Sequence, residues 1–316
     1  MKIAAAMVLA AGRGERMRPL SSVLPKPALP LVDEPVIASA LRLAATTGTR
    51  RVVVNTWHLA RAMERALTEV ELDAEIVVSR EEELMDTAGG IALARDRDLL
   101  GDRGPVLIIN GDGLLSLDLG PLFERMAQTD DMVSLALIPH LDPLRWSRVI
   151  LNPTQMVGCI KKPGAPETGE DPFLYPGVML VSRQALNGLT ARPGAVGECL
   201  WGPALAEGRL GGVVVSGHWR EVGVPRDYLE AVLGRLNGRV AVHPSAHVDP
   251  SASIGAAFIG RNARVEARAV VGEAVVAEGA TVGREARVVR SVLLGHVSVE
   301  TGGSVVDGFR AAHPRT

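Results

Sequence analysis

Two cysteines in 316 residues, Cys159 and Cys199, exclude a disulfide framework and a thiolate metal cluster. They read as buried thiols of a chain working in a reducing compartment, the cytoplasm. Aromatic residues make up only 3% of the chain, so the core must be largely aliphatic. Trp57, Trp146, Trp201 and Trp219 are each expected to pack in that core rather than stack on a ligand. A net charge of −2 excludes the protein-wide basic field of a nucleic-acid binder. No apolar run approaches the roughly 20 residues that span a bilayer. The start, MKIAAAMVLAAG, has the look of a signal peptide, but none is expected, because the apolar run is short, has one leading charge and leads straight into Arg13, Glu15, Arg16 and Arg18. Lysine is also scarce: of 34 basic residues only Lys2, Lys26, Lys161 and Lys162 are lysine. Where arginine is the default cation, a retained lysine points to a need for a compact charge rather than a planar fork.

What is present is alternation. IAAAMVLA (3–10) is a continuous apolar run suited to a strand buried on both faces. Further strands are expected at 51–55, 74–79, 105–110 and 132–138, with helices over 35–45, 58–70 and 119–128. The pattern predicts an α/β domain over residues 1–238: a Rossmann-like, doubly wound, mostly parallel sheet. Ligands bind such sheets at the carboxyl ends of the strands, where the loop after residue 9 and NGDG (110–113) fall.

From Val242 the helical period disappears. Ala-x-(Val/Ile) recurs with alanines at 246, 252, 257, 263, 269, 274, 280 and 286. This spacing fits a solenoid of three short strands per coil, with a small residue at each corner and an aliphatic one pointing inward. Residues 239–316 are thus expected to form a second domain, with DGFRAAHPRT (307–316) as a frayed tail. The repeat resembles the left-handed parallel β-helix of hexapeptide-repeat proteins. Mixed charges along it, Arg261, Arg264, Arg268, Arg284 and Arg287 against Glu266, Glu273, Glu278 and Glu285, suit a solvated wall or a self-complementary contact. A homo-oligomer, a dimer through the β-helix, is the expectation.

LAAGRGERMRPLSSVLPKPALP (9–30) carries the most specific chemistry. GRGERM lacks the third glycine of a dinucleotide loop, and no G-K-(S/T) follows. Gly12 and Gly14 still let backbone N–H groups approach an anion, and Arg16 can reach a polyphosphate. Lys26 sits between two prolines that restrict its backbone.

This run is similar to the signature of the sugar-1-phosphate nucleotidylyltransferases, L-A-A-G-x-G-x-R-M-x-P-L-T followed by P-K-P-x-L-P. Ser21 stands where threonine is usual. DTAGGI (86–91) resembles that family's glycine-rich segment near the base, and INGDGLLSLDL (109–119) its N-G-D segment. IKKP (160–163) resembles E-K-P, and HWREVGVPRDYLEA (218–231) resembles W-x-D-x-G-T-P-x-x-Y-L-x-A.

The resemblance implies the nucleotide-diphospho-sugar transferase fold and Mg²⁺-dependent attack of a sugar 1-phosphate on the α-phosphorus of a nucleoside triphosphate. It implies catalytic roles for Arg16 and Lys26, and nucleotide contacts from Ala11, Gly12, Arg13, Gly14, Gly89 and Asp112. Lys162 and Gly177 would meet the sugar phosphate; Asp112 and Glu221 would hold the metal. Several positions depart from the family: Glu221 for aspartate, Val224 for threonine, Lys161 for glutamate, Asp86 for glycine, and a missing glycine in LRWSRV (144–149). These changes fall mainly on the sugar half. They leave open a second reading, a catalytically weak relative that binds nucleotide or nucleotide sugar and regulates a partner. A third, a hexapeptide acyltransferase, would need a histidine base, with His243, His247 and His296 the candidates. Neither nucleic acid nor membrane is an expected partner.

Overall fold

A computed structural model describes residues 2–166 and 172–313. The opening apolar run forms the strand Ala5–Leu9, parallel to Arg51–Thr56 on one side and Val106–Asn110 on the other. Two compact units emerge. Met1–Gly12, Ile37–Ala60 and Glu71–Arg220 make the first; Arg13–Val36, Arg61–Val70 and Glu221–Thr316 make the second.

The first unit is built on one sheet. Its order is Val157–Lys161, Arg148–Leu151, Phe173–Leu174, Val133–Pro139, Val178–Val181, Val106–Asn110, Ala5–Leu9, Arg51–Thr56, Glu75–Arg80, with Leu210–Val214 also paired to Val133–Pro139. The sheet is parallel from Val106–Asn110 to Glu75–Arg80. Val178–Val181 runs antiparallel to both its neighbours, and Arg148–Leu151 with Val157–Lys161 makes an antiparallel pair joined by a short turn, too short for a crossover. Met7, Val53, Ile91, Ile108 and Leu135 lie in the shared aliphatic core. Ala5–Leu9 is the strand at which the chain reverses its direction of travel across the sheet, so its carboxyl end is the switch point where open α/β sheets bind ligands.

The second unit carries the solenoid. Three parallel ladders stack with a register of 17 residues, as in Val240↔Ala257, His247↔Arg264 and Ser253↔Val270, giving the left-handed β-helix. The alanines are not the corners. Ala263, Ala269, Ala280 and Ala286 are wholly buried, as are the aliphatic residues two positions on, so both face inward on the same side of each strand. The corners are the residues just before them. Asn262, Arg268, Gly279 and Glu285 all take positive φ, which lets the chain turn while a small side chain follows into the narrow interior. Arg268 pairs with Glu285 one coil above, and Arg290 with Asp307, so part of the mixed charge is matched within the chain. The expected frayed tail is ordered as far as it is described: Phe309–Ala312 is a strand paired to Val292–Gly295. Its last three residues lie outside the described residues.

Three other expectations are corrected. Pro35 does not open the first helix; it closes a small hairpin of Pro30–Leu31 with Glu34–Pro35, and the helix runs Ala38–Ala45. Cys159 is half-buried and Cys199 exposed, so neither is a core thiol. The four tryptophans are only partly buried. Trp201 packs on the core and edge-on to Tyr175, whereas Trp146 and Trp219 pack edge-on against each other, 5.3 Å between ring centroids.

Candidate active site

In the first unit the residues gather at the switch point. After Leu9 the chain continues through Ala10 and Ala11, both buried, to the exposed Gly12, where a side chain would find no protein atom within 4 Å. The Gly111 N–H donates to the Leu9 carbonyl at 2.9 Å, which brings the turn holding Asp112 beside this loop. Asp112 is half-buried in that turn, and Trp219 stands against Gly113 next to it. Gly177, at φ 89°, accepts the Asn110 N–H on its carbonyl at 2.8 Å, and a Cβ there would crowd the Asn110 side chain at 2.7 Å. Ala11, Gly12, Asp112 and Gly177 therefore cluster around the ends of two adjacent strands. Lys162 is exposed, just past the edge strand Val157–Lys161. Lys161 sits in register with Arg148, whose buried guanidinium donates to the Ala165 carbonyl.

A buried polar chain, unmarked by the sequence motifs, sets the position of this loop. The Ala10 N–H donates to Asn55 Oδ1 at 2.9 Å, Asn55 Nδ2 donates to Glu81 Oε1 at 2.7 Å, and the Met85 N–H donates to Glu81 Oε2 at 3.1 Å. Asn55 lies near the end of the strand Arg51–Thr56, opposite Ser79 of the parallel strand Glu75–Arg80, and Glu81 follows that second strand directly. The helix Asp86–Asp96 then closes over them. Gly90 allows this, since a Cβ there would stand 2.7 Å from Glu81 Oε1; at Gly89 a Cβ would overlap the Arg192 carbonyl. Asp86 has φ 54°, the left-handed region glycine favours and aspartate tolerates, which accounts for the family's glycine at this position.

Burial raises the Glu81 carboxyl above the ordinary 4.5, while the Asn55 amide, the Met85 N–H and Arg97 pull it back. A raised folded value means that the Glu81 contribution is full below the unfolded carboxylate range and is lost as pH rises through the folded value. Glu81→Gln does not titrate. Wild-type stability relative to Glu81→Gln, from denaturant midpoints, is expected to decline as pH rises from about 4 to 8; a flat difference would contradict this.

In the second unit the cationic loop folds into three short 3₁₀ turns, Glu15–Met17, Leu20–Ser22 and Lys26–Ala28. Gly14 sits at φ 61°, and the Ser21 hydroxyl donates to its carbonyl at 2.7 Å. The Lys26 Cβ lies 3.6 Å from where a Gly14 Cβ would stand, and Met17 and Leu20 anchor the loop with wholly buried side chains. Lys26 is buried between its prolines. Arg16 Nη2 donates to Glu221 Oε1 at 2.9 Å, whereas Arg13 turns to Glu15 at 3.6 Å. Arg16 is mostly exposed and Glu221 mostly covered, so a guanidinium reaching into solvent is anchored by a fixed carboxylate. Val224 precedes the helix Pro225–Leu236 in the capping position. Valine has no acceptor, so Asp227 alone serves this end, its Oδ2 accepting the Gly223 and Val224 N–H groups at 3.1 and 3.2 Å. The lost threonine hydroxyl is worth about 1 kcal/mol of capping.

The first unit offers an open glycine at a strand end, and the second a loop that bears Arg16 and Lys26 and is anchored by the buried Met17 and Leu20. Asp112 in the first unit and Glu221 in the second each offer one carboxylate, the oxygen donor that Mg²⁺ takes once or twice while drawing its remaining ligands from waters and phosphates. Among the described residues no group of three or more His, Cys, Asp or Glu forms an all-protein metal cage. Also among them, no helix is long and apolar enough to cross a membrane. His247 and His296 are exposed on the solenoid and His243 is half-buried, with His296 lying over Gly279 of the coil below.

The sequence profile of the nucleotidyl transferase family matches residues 5–237. The chain is 27% identical over 232 residues to mannose-1-phosphate guanylyltransferase 1 of Arabidopsis thaliana, spanning 71% of this chain but 62% of that protein. It is 24% identical over 265 residues to the catalytic subunit beta of the Danio rerio mannose-1-phosphate guanylyltransferase, covering 79% of this chain and 72% of that protein. Among solved structures, HddC from Yersinia pseudotuberculosis superposes with a TM-score of 0.61 at 19% identity, over 73% of this chain and 99% of that one, and shares its fold. The chain belongs to the nucleotidyl transferase family.

Proposed function

We propose that the protein is a sugar-1-phosphate nucleotidylyltransferase. A phosphate oxygen of a sugar 1-phosphate attacks the α-phosphorus of a nucleoside triphosphate. The bond from that phosphorus to the bridging oxygen breaks, and pyrophosphate leaves with the electron pair. No covalent enzyme intermediate is required, so the protein's task is to hold two polyanions in line. Ala11, Gly12, Arg13, Gly14 and Gly89 receive the nucleotide. Arg16 neutralises the departing pyrophosphate, and Lys26 neutralises the transferring phosphoryl group. Lys162 takes the sugar phosphate, and Gly177 leaves room for the sugar. Asp112 and Glu221 are the carboxylates for Mg²⁺, which would neutralise phosphate oxygens.

The observation that carries this reading is the loop: Lys26 is buried against Gly14, and Arg16 is anchored on Glu221. The relatives named above are guanylyltransferases, which favours GTP as the nucleotide. A thermal-shift screen with Mg²⁺ tests the nucleotide half. A ligand at about 100 times its Kd stabilises the folded state by roughly 2.7 kcal/mol. GTP and its sugar nucleotides are expected to raise Tm; no shift with any of the four triphosphates would oppose the reading.

A further inference from the structure

The segment Arg13–Val36, which bears Arg16 and Lys26, packs with the C-terminal residues in the second unit. The contact is specific. The terminal strand Phe309–Ala312 packs on the turn Leu20–Ser22. Gly295 lies where these elements meet: a Cβ there would overlap the Ala312 carbonyl and stand 3.3 Å from Val23 Cγ1. A groove of about 1120 Å³ has Pro19 and the residues 309–313 among its walls, so loop and solenoid bound one continuous surface. The same turn holds Ser21, whose hydroxyl bonds the Gly14 carbonyl.

The terminal strand is itself well held. It pairs residue for residue with Val292–Gly295, the His296 N–H donates to the Ala312 carbonyl at 3.0 Å, and Ala312 packs on the solenoid core. A coil held by its ladder thus meets a loop whose own regular structure is three short 3₁₀ turns, with poorer hydrogen-bond geometry than an α-helix.

We infer that the last coil of the β-helix is a positioning element for the cationic loop. Residues 309–312 fix Leu20–Val23, and Ser21 passes that constraint to Gly14, holding Arg16 and Lys26 in place. This rests on the roles proposed above for Arg16 and Lys26. It gives the solenoid a part in the rate of the reaction and not only in assembly.

The test compares Gly295→Ala with Gly302→Ala in the full chain. Both glycines have positive φ, 70° and 66°, so both substitutions strain the same coil. Only Gly295→Ala displaces Ala312 and crowds Val23; at Gly302 the Cβ would meet nothing within 4 Å. Gly295→Ala is expected to lower kcat at least about tenfold, since misplacement of about an ångström carries that order of cost. The KM for sugar 1-phosphate should stay near the parental value. Amide exchange at Met17 and Val23, which donate to the Gly14 and Leu20 carbonyls, should accelerate. Gly302→Ala should leave all three unchanged. Equal kcat and equal exchange in the two variants would overturn the inference. Should Gly295→Ala not fold, Val23→Ala trims the side chain that lies beside Gly295 without backbone strain: faster Met17 exchange supports the inference and unchanged exchange overturns it. Because exchange needs no turnover, a wild-type chain without transferase activity would sink the proposed function while leaving this reading separately decided.

Discussion

Lys26→Ala is expected to lower kcat by about 10³-fold, the order seen when one preorganised partner of a developing charge is removed from a site that excludes water. Lys26 lies within a 3₁₀ turn, 6% exposed, with proline on either side, so its charge is held by backbone that cannot relax. Removing the ammonium takes away a fixed charge that solvent cannot restore. Lys26→Met keeps most of the buried volume and should lose activity as severely, which separates charge from packing. Lys26→Arg should not rescue, because a planar fork does not fit where a compact ammonium is buried. The fall should appear in kcat, with the KM for sugar 1-phosphate little changed, the pattern of an interaction made mainly in the transition state. Parental turnover in Lys26→Ala would show that the loop grips no reacting phosphate.

The second large effect separates two glycines of the same candidate site. Gly89→Ala places a Cβ over the Arg192 carbonyl and 2.9 Å from its carbon, so backbone must move. A loss of about 3 kcal/mol is expected, the upper end for overpacking, and a Tm lower by several degrees. The Arg192–Gly194 loop, tied to this helix by the Ala88 N–H to Gly194 carbonyl bond, should be displaced with it. Gly12→Ala meets no atom within 4 Å and should leave Tm unchanged while weakening nucleotide binding, because the added methyl occupies space proposed for phosphate. Calorimetry and nucleotide titration on the pair check this. Equal Tm losses would mean that Gly12 is a structural glycine; unchanged affinity in a stable Gly12→Ala would remove it from the nucleotide site.

The sequence announces those parts of the fold that depend on local period. The buried strand Ala5–Leu9, the helix Gly120–Gln128 and the 17-residue coil all follow from the spacing of apolar residues. The solenoid corners are not marked in this way, because positive φ at Asn262, Arg268 and Glu285 leaves no hydrophobic signal, and the periodic residue is the buried alanine beside each corner. Asn55 and Glu81 escape motif reading because their pairing exists only once two parallel strands lie side by side. An asparagine and a glutamate at matching strand ends were the available signal. The packing of Leu20–Ser22 under Phe309–Ala312 joins residues nearly a whole chain apart and has no counterpart in local pattern. Departures from the family divide in the same way. Asp86 and Val224 acquire backbone explanations, a left-handed φ and a half-served helix cap, whereas Glu221 is seen to hold Arg16.

Pyrophosphate release by the full chain with Mg²⁺, measured for each of four nucleoside triphosphates against a panel of sugar 1-phosphates, tests the central claim most directly. The expected result is release that requires both substrates, is strongest with GTP, and yields one equivalent of nucleotide sugar per pyrophosphate. Silence across the panel, together with saturable binding of a nucleotide sugar, would contradict it and assign the chain to regulation of a partner.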